Sequence, residues 1–153
     1  MTVDVQLATP RLRTGRRRLV NAVGLGLWAS GLAWLLLHYL LQAKGEFGPE
    51  PSPLEPWALK LHGLFAFASL WTLGLLWGVH VVNGWSLGRR RWSGGLLLGA
   101  LGLLTASGWL LYYAGADEVR SATSVVHWAI GLGALPLYLA HRLIRQAVSR
   151  RGP

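Results

Sequence analysis

Residues 57–82 read WALKLHGLFAFASLWTLGLLWGVHVV. Lys60 is the one formally charged side chain in this run, and two histidines, His62 and His80, punctuate it. An α-helix rises about 1.5 Å per residue, so some 20 such residues cross a hydrocarbon core about 30 Å thick. Three comparable runs accompany it, at about 19–43, 93–114 and 122–144. The expected fold is therefore all-α: an integral membrane four-helix bundle running up-down-up-down, with a basic tail at 1–18, the four-span bundle at 19–146 and a second basic tail at 147–153.

Composition supports a membrane environment. The 153 residues are 52% hydrophobic and 14% charged, poorer in charge than an ordinary water-soluble domain. The net charge of +9 would suggest nucleic acid in a soluble protein, but here the basic residues fall between apolar runs, so no nucleic-acid partner is expected. Arg11, Arg13, Arg16, Arg17 and Arg18 precede the first run. Arg89, Arg90 and Arg91 separate the second from the third, and Arg142, Arg145, Arg150 and Arg151 close the chain. Acidic residues gather in the other two connections, 44–56 (KGEFGPEPSPLEP) and 115–121 (GADEVRS). The positive-inside rule then puts both termini and the arginine loop in the cytoplasm, in a multi-pass protein of a bacterial-type inner membrane. The apolar stretch after Arg18 is longer than the h-region of a signal peptide, about 7–15 residues.

Local signals divide the spans. Asn83-Gly84 reads as a turn, Ser121 as a helix cap, and Pro136 as a kink in the last span. Trp57, Trp85, Trp92, Tyr39, Tyr112 and Tyr113 lie near span ends, where amphipathic rings favour the headgroup region. Trp28, Trp34, Trp71 and Trp77 sit deeper, as packing or lipid-facing residues. The third span is rich in small residues, among them Gly95, Gly99, Gly102 and Gly108, which permit close helix packing or leave room for a flat cofactor. With no cysteine, thiolate metal sites, disulfides and covalent c-type haem attachment are excluded.

All five histidines fall inside the spans: His38 in the first, His62 and His80 in the second, His127 and His141 in the fourth. Ionisable side chains are costly in a bilayer and mark function there. All six acids are read as tail or loop residues, which disfavours a proton relay and suits neutral imidazole ligating iron. His62 and His80, 18 residues apart, share a helix face after about five turns; His127 and His141, 14 apart, come within about 40° of doing so. Depth pairs His62 with His127 near the outer surface and His80 with His141 near the inner one. The rises differ, about 27 Å against about 21 Å, so the second and fourth helices cannot be level at both positions without tilt. His38 has three open roles: outer ligand in place of His62, partner of a propionate, or border of a quinol pocket. Lys60, Arg120 and Arg142 are either propionate counter-charges or snorkelling interface residues.

Leu61-His62-Gly63 with Val79-His80, the segment SGWLLYY at 107–113, and Val126-His127-Trp128 with Ala140-His141 together resemble the four-helix di-haem membrane cytochromes, the cytochrome b561 and formate dehydrogenase gamma-subunit group. The resemblance covers about residues 19–146. It departs from the gamma-subunit arrangement in the 18-residue spacing and in placing His38 at the outer end of its helix. It implies two b-type haems, with His62 and His127 on the outer iron and His80 and His141 on the inner one. It further implies electron transfer between a quinone pool and a redox partner, a subunit or a soluble cytochrome, so that the chain is an electron-transfer subunit rather than a stand-alone enzyme. Two other classes stay open: a haem-free structural subunit with histidines as interhelical hydrogen bonders, and a small histidine-based metal transporter.

Overall fold

The computed structural model describes residues 14–86 and 91–150, with side chains as far as 143. Most of the basic N-terminal tail, Arg89 and Arg90 of the loop cluster, and the side chains of Arg145, Arg150 and Arg151 lie outside the described residues. Helix α1 spans Thr14–Tyr39, and a two-stranded hairpin follows, β1 (Ala43–Gly45) against β2 (Gly48–Glu50). Helix α2 (Glu55–Leu76) runs into a π-helical segment (Trp77–Val82) and a short helix α3 (Asn83–Ser86). Helix α4 is Arg91–Tyr113 and α5 is Asp117–Arg150. Among the described residues four helical stretches are long and apolar enough to cross a membrane: Thr14–Tyr39, Glu55–Ser86, Arg91–Tyr113 and Asp117–Leu143.

Several local readings are corrected by these boundaries. Thr14–Arg18, read as tail, already belong to α1. Residues 43–50 form a hairpin with Gly45 opposite Gly48, and Gly48 takes a φ of +132°, a conformation that glycine adopts without steric cost. Asn83-Gly84 is helical instead of a turn, and Ser121 lies one turn inside α5, not at its cap. Pro136 is carried within α5, whose helical run continues on both sides of it. Glu55, Asp117 and Glu118, read as loop acids, occupy the first turns of α2 and α5, where a carboxylate favourably meets the positive end of the helix dipole. Pro56, at the start of α2, lacks an N–H where the helix would leave it unpaired anyway.

Packing is organised as two helical hairpins, α1 with α2 and α4 with α5, joined mainly through α1 against α5. Hydroxyls within the helices are satisfied by their own turns: Thr72 donates to the Ala68 carbonyl (2.7 Å) and Thr105 to that of Leu101 (2.8 Å). Such back-bonding would spare a polar group from facing hydrocarbon unpaired if these helices cross a membrane. Among the described residues Val23 is the buried apolar side chain, and no large side chain is fully enclosed. A soluble bundle would fill its centre to crystal-like density with leucine and isoleucine. Here leucines, tryptophans and phenylalanines lie on the outside, and an apolar groove of about 530 Å³ opens between Leu70 and Leu73 of α2 and Leu98, Leu101 and Trp109 of α4.

Candidate functional site

His62 and His127 face each other across the two hairpins, ring centres 6.2 Å apart and planes at 80°. Helix α2 carries the first ring and α5 the second, yet these helices do not pack along their length. The rings therefore meet between helices of different hairpins. Each ring is held from behind by the other member of its own hairpin. The His62 Nδ1 lies 3.1 Å from the Leu27 carbonyl and 3.2 Å from Ser30 Oγ, both on α1; the His127 Nδ1 lies 2.8 Å from Ser107 Oγ on α4.

Counting protons fixes which nitrogen is free. A carbonyl can only accept, so Nδ1 of His62 carries the hydrogen it shares with Leu27. Ser107 Oγ lies 2.7 Å from the Leu103 carbonyl, and with its one hydroxyl proton directed there it accepts from Nδ1 of His127. Both imidazoles thus keep a lone pair on Nε2, the nitrogen left for a metal. An imidazole nitrogen binds a transition metal at about 2.0–2.1 Å and lies about 1.1 Å from its ring centre, so two rings on opposite sides of one ion have centres about 6.3 Å apart. The observed 6.2 Å fits that separation. Two indole donors adjoin the pair in sequence, Trp128 beside His127 and Trp28 beside Leu27, and their Nε1 atoms are buried without a protein partner. A bound group carrying acceptor oxygens would satisfy them.

The other histidines are placed differently. The His141 Nδ1 meets Ser93 Oγ at 2.8 Å, 14 residues along both α4 and α5 from the Ser107–His127 contact. His80 lies in the π-helical segment. There the turn is wider than the α-helical one, so the expected alignment of His80 directly over His62 after five regular turns does not hold. A π-bulge takes up an extra residue, which reduces the mismatch between the 18- and 14-residue spacings. His38 pairs with Glu55, Nδ1 to Oε1 at 2.8 Å, and stacks on Trp34 with centres 4.7 Å apart. It is thereby engaged between α1 and the first turn of α2, two turns from His62.

Expected counter-charges also find local partners. Lys60 Nζ sits 4.5 Å over the Trp57 ring, and Arg142 donates to Asn21 Oδ1 (3.3 Å), which also accepts from the Tyr138 hydroxyl (2.6 Å). Among the described residues no group of three or more His, Cys, Asp or Glu comes together. A closed zinc site takes four protein donors, and this pair supplies two. Sequence reasoning missed the serines behind the rings. Their signal was visible: Ser-Gly occurs at 30–31, 93–94 and 107–108, and the last two repeat with the 14-residue spacing of His127 and His141.

Set against known protein families, curated proteins and solved structures, the chain matches none.

Proposed function

We propose that this chain is a membrane b-type cytochrome that carries electrons across the bilayer through two bis-histidine haems, between a quinone pool and a redox partner subunit or soluble cytochrome. The reading rests on one observation above all: His62 and His127, on helices from different hairpins, lie with ring centres 6.2 Å apart, and each has its Nδ1 engaged by the other helix of its own hairpin. In this reading the four helices cross the membrane up-down-up-down with both termini cytoplasmic. His62 and His127 hold the outer iron, and His80 and His141 the inner one. Haem iron supplies one-electron chemistry when bound, and the protein tunes it by ligation, hydrogen bonding and burial. The chain's own contributions are orientation of the imidazoles from Nδ1, two buried indole donors, and four apolar helices that exclude water.

The acidic first turns of α2 and α5 lie at one end of the bundle and would suit a basic docking partner on the outer face. A second reading has its own support: Ser30–His62, Ser107–His127 and Ser93–His141 are interhelical hydrogen bonds, which a haem-free structural subunit would use to join its helices. The dithionite-reduced minus oxidised spectrum of the purified protein, with a pyridine haemochrome assay, separates the two. A sharp b-type α band with two haems per chain is the expected result, and His127→Ala is expected to halve the haem content. A colourless protein produced with adequate haem supply would favour the structural subunit, or metal transport.

A further inference from the structure

We infer that the three Ser-Gly dipeptides are two-part clamps, Ser30-Gly31 on His62, Ser107-Gly108 on His127 and Ser93-Gly94 on His141, acting as positioning residues that set the reduction potential of each haem. The inference rests on the haem reading and goes beyond it. In each clamp the serine oxygen takes the Nδ1 edge of the ring, at 3.2, 2.8 and 2.8 Å respectively. The adjacent glycine lies against the neighbouring Cε1, tightly enough at Gly31 that a side chain would clash and at ordinary contact distance at Gly108 and Gly94. A Cβ built on Gly31 would lie 2.9 Å from Cε1 of His62, on Gly108 3.4 Å from that of His127, and on Gly94 3.9 Å from that of His141. The chain contains no other Ser-Gly, so every such dipeptide lies against a histidine ring.

The chemistry follows from where the proton sits. An acceptor on Nδ1–H pushes electron density toward Nε2, makes the imidazole a stronger donor to the oxidised metal, and lowers the potential. Removing the acceptor raises it. His127 has Ser107 on its Nδ1, whereas His62 has the Leu27 carbonyl as well as Ser30. Loss of Ser107 therefore matters more than loss of Ser30.

The test is a potentiometric titration of the purified, haem-loaded protein. Ser107→Ala is expected to keep two haems and raise one midpoint potential, Ser30→Ala to raise the same one by less, and Ser93→Ala to raise the other. Ser107→Thr, which retains the hydroxyl, is expected to return to the wild-type value. The glycines add a graded readout: Gly31→Ala loses one haem while the second persists as evidence of folding, Gly108→Ala perturbs the same haem less, and Gly94→Ala retains both. Unmoved potentials in Ser107→Ala and Ser93→Ala, or equal tolerance of alanine at all three glycines, would overturn the clamp. A wild-type chain without haem overturns the underlying reading instead. In that event ¹⁵N NMR of the histidine rings still decides the clamp: Ser107→Ala must shift His127 away from the Nδ1–H form, and an unchanged tautomer refutes it.

Discussion

Replacing His38 by alanine separates a structural histidine from an iron ligand. Its Nδ1 is 2.8 Å from Oε1 of Glu55, and the carboxylate is the more enclosed partner, 16% exposed against 41% for the imidazole. The second oxygen, Oε2, is already buried without a partner, so His38→Ala leaves both oxygens of Glu55 unpaired. A hydrogen bond to a charged group contributes about 1.5–3 kcal/mol, and the exposure of the imidazole argues for the lower part of that range once solvent screening is counted. A loss of about 1–2 kcal/mol is expected, plus a smaller amount for the stack on Trp34. Glu55→Gln should cost less, because the amide oxygen still accepts from the ring. Detergent-micelle unfolding followed by circular dichroism, run as a double-mutant cycle on His38→Ala and Glu55→Ala, measures the coupling. Haem content is read on the same samples and should stay at the wild-type value. Loss of a haem in His38→Ala, or no coupling to Glu55, would refute the placement of His38 as the partner of Glu55.

Two further outcomes are expected. Tyr138→Phe removes the 2.6 Å hydrogen bond to Asn21 that ties α5 to α1, and should lower stability by about 0.6–1.7 kcal/mol in the same unfolding assay, the range for interhelical hydrogen bonds in membranes; no change would mean that Arg142 alone holds Asn21. Because the chain contains no cysteine, single substitutions report orientation cleanly. Glu46→Cys and Ala116→Cys should react with an impermeant maleimide on intact cells, and Gly152→Cys only after permeabilisation; the reverse pattern would sink the proposed topology.

The spans were legible in the sequence because bilayer crossing depends on quantities that add along the chain: run length, apolar content and the charges between runs. The five histidines stood out for the same reason, and their spacing on the last helix already pointed to two positions 14 residues apart. The Ser-Gly repeat was equally visible, but its meaning was not, since nothing in a single helix says which neighbour will lie opposite Ser107.

Rotation and register were decided in three dimensions. An unbroken α-helix would have stacked His80 over His62, and the π-helical segment at Trp77–Val82 changes that relation by altering the backbone hydrogen-bond step itself. Glu55 read as a loop acid within the connection 44–56; in the fold Pro56 lies in the first turn of α2, and Glu55 in that turn meets His38. That His62 opposes His127, with Ser30 and Ser107 behind them, depends on how closely α1 approaches α2 and α4 approaches α5. Between α1 and α2 the approach depends on glycine removing a side chain, as at Gly31 beside His62. Apolar content places a helix in the membrane, but only contact between particular side chains fixes which face it turns inward.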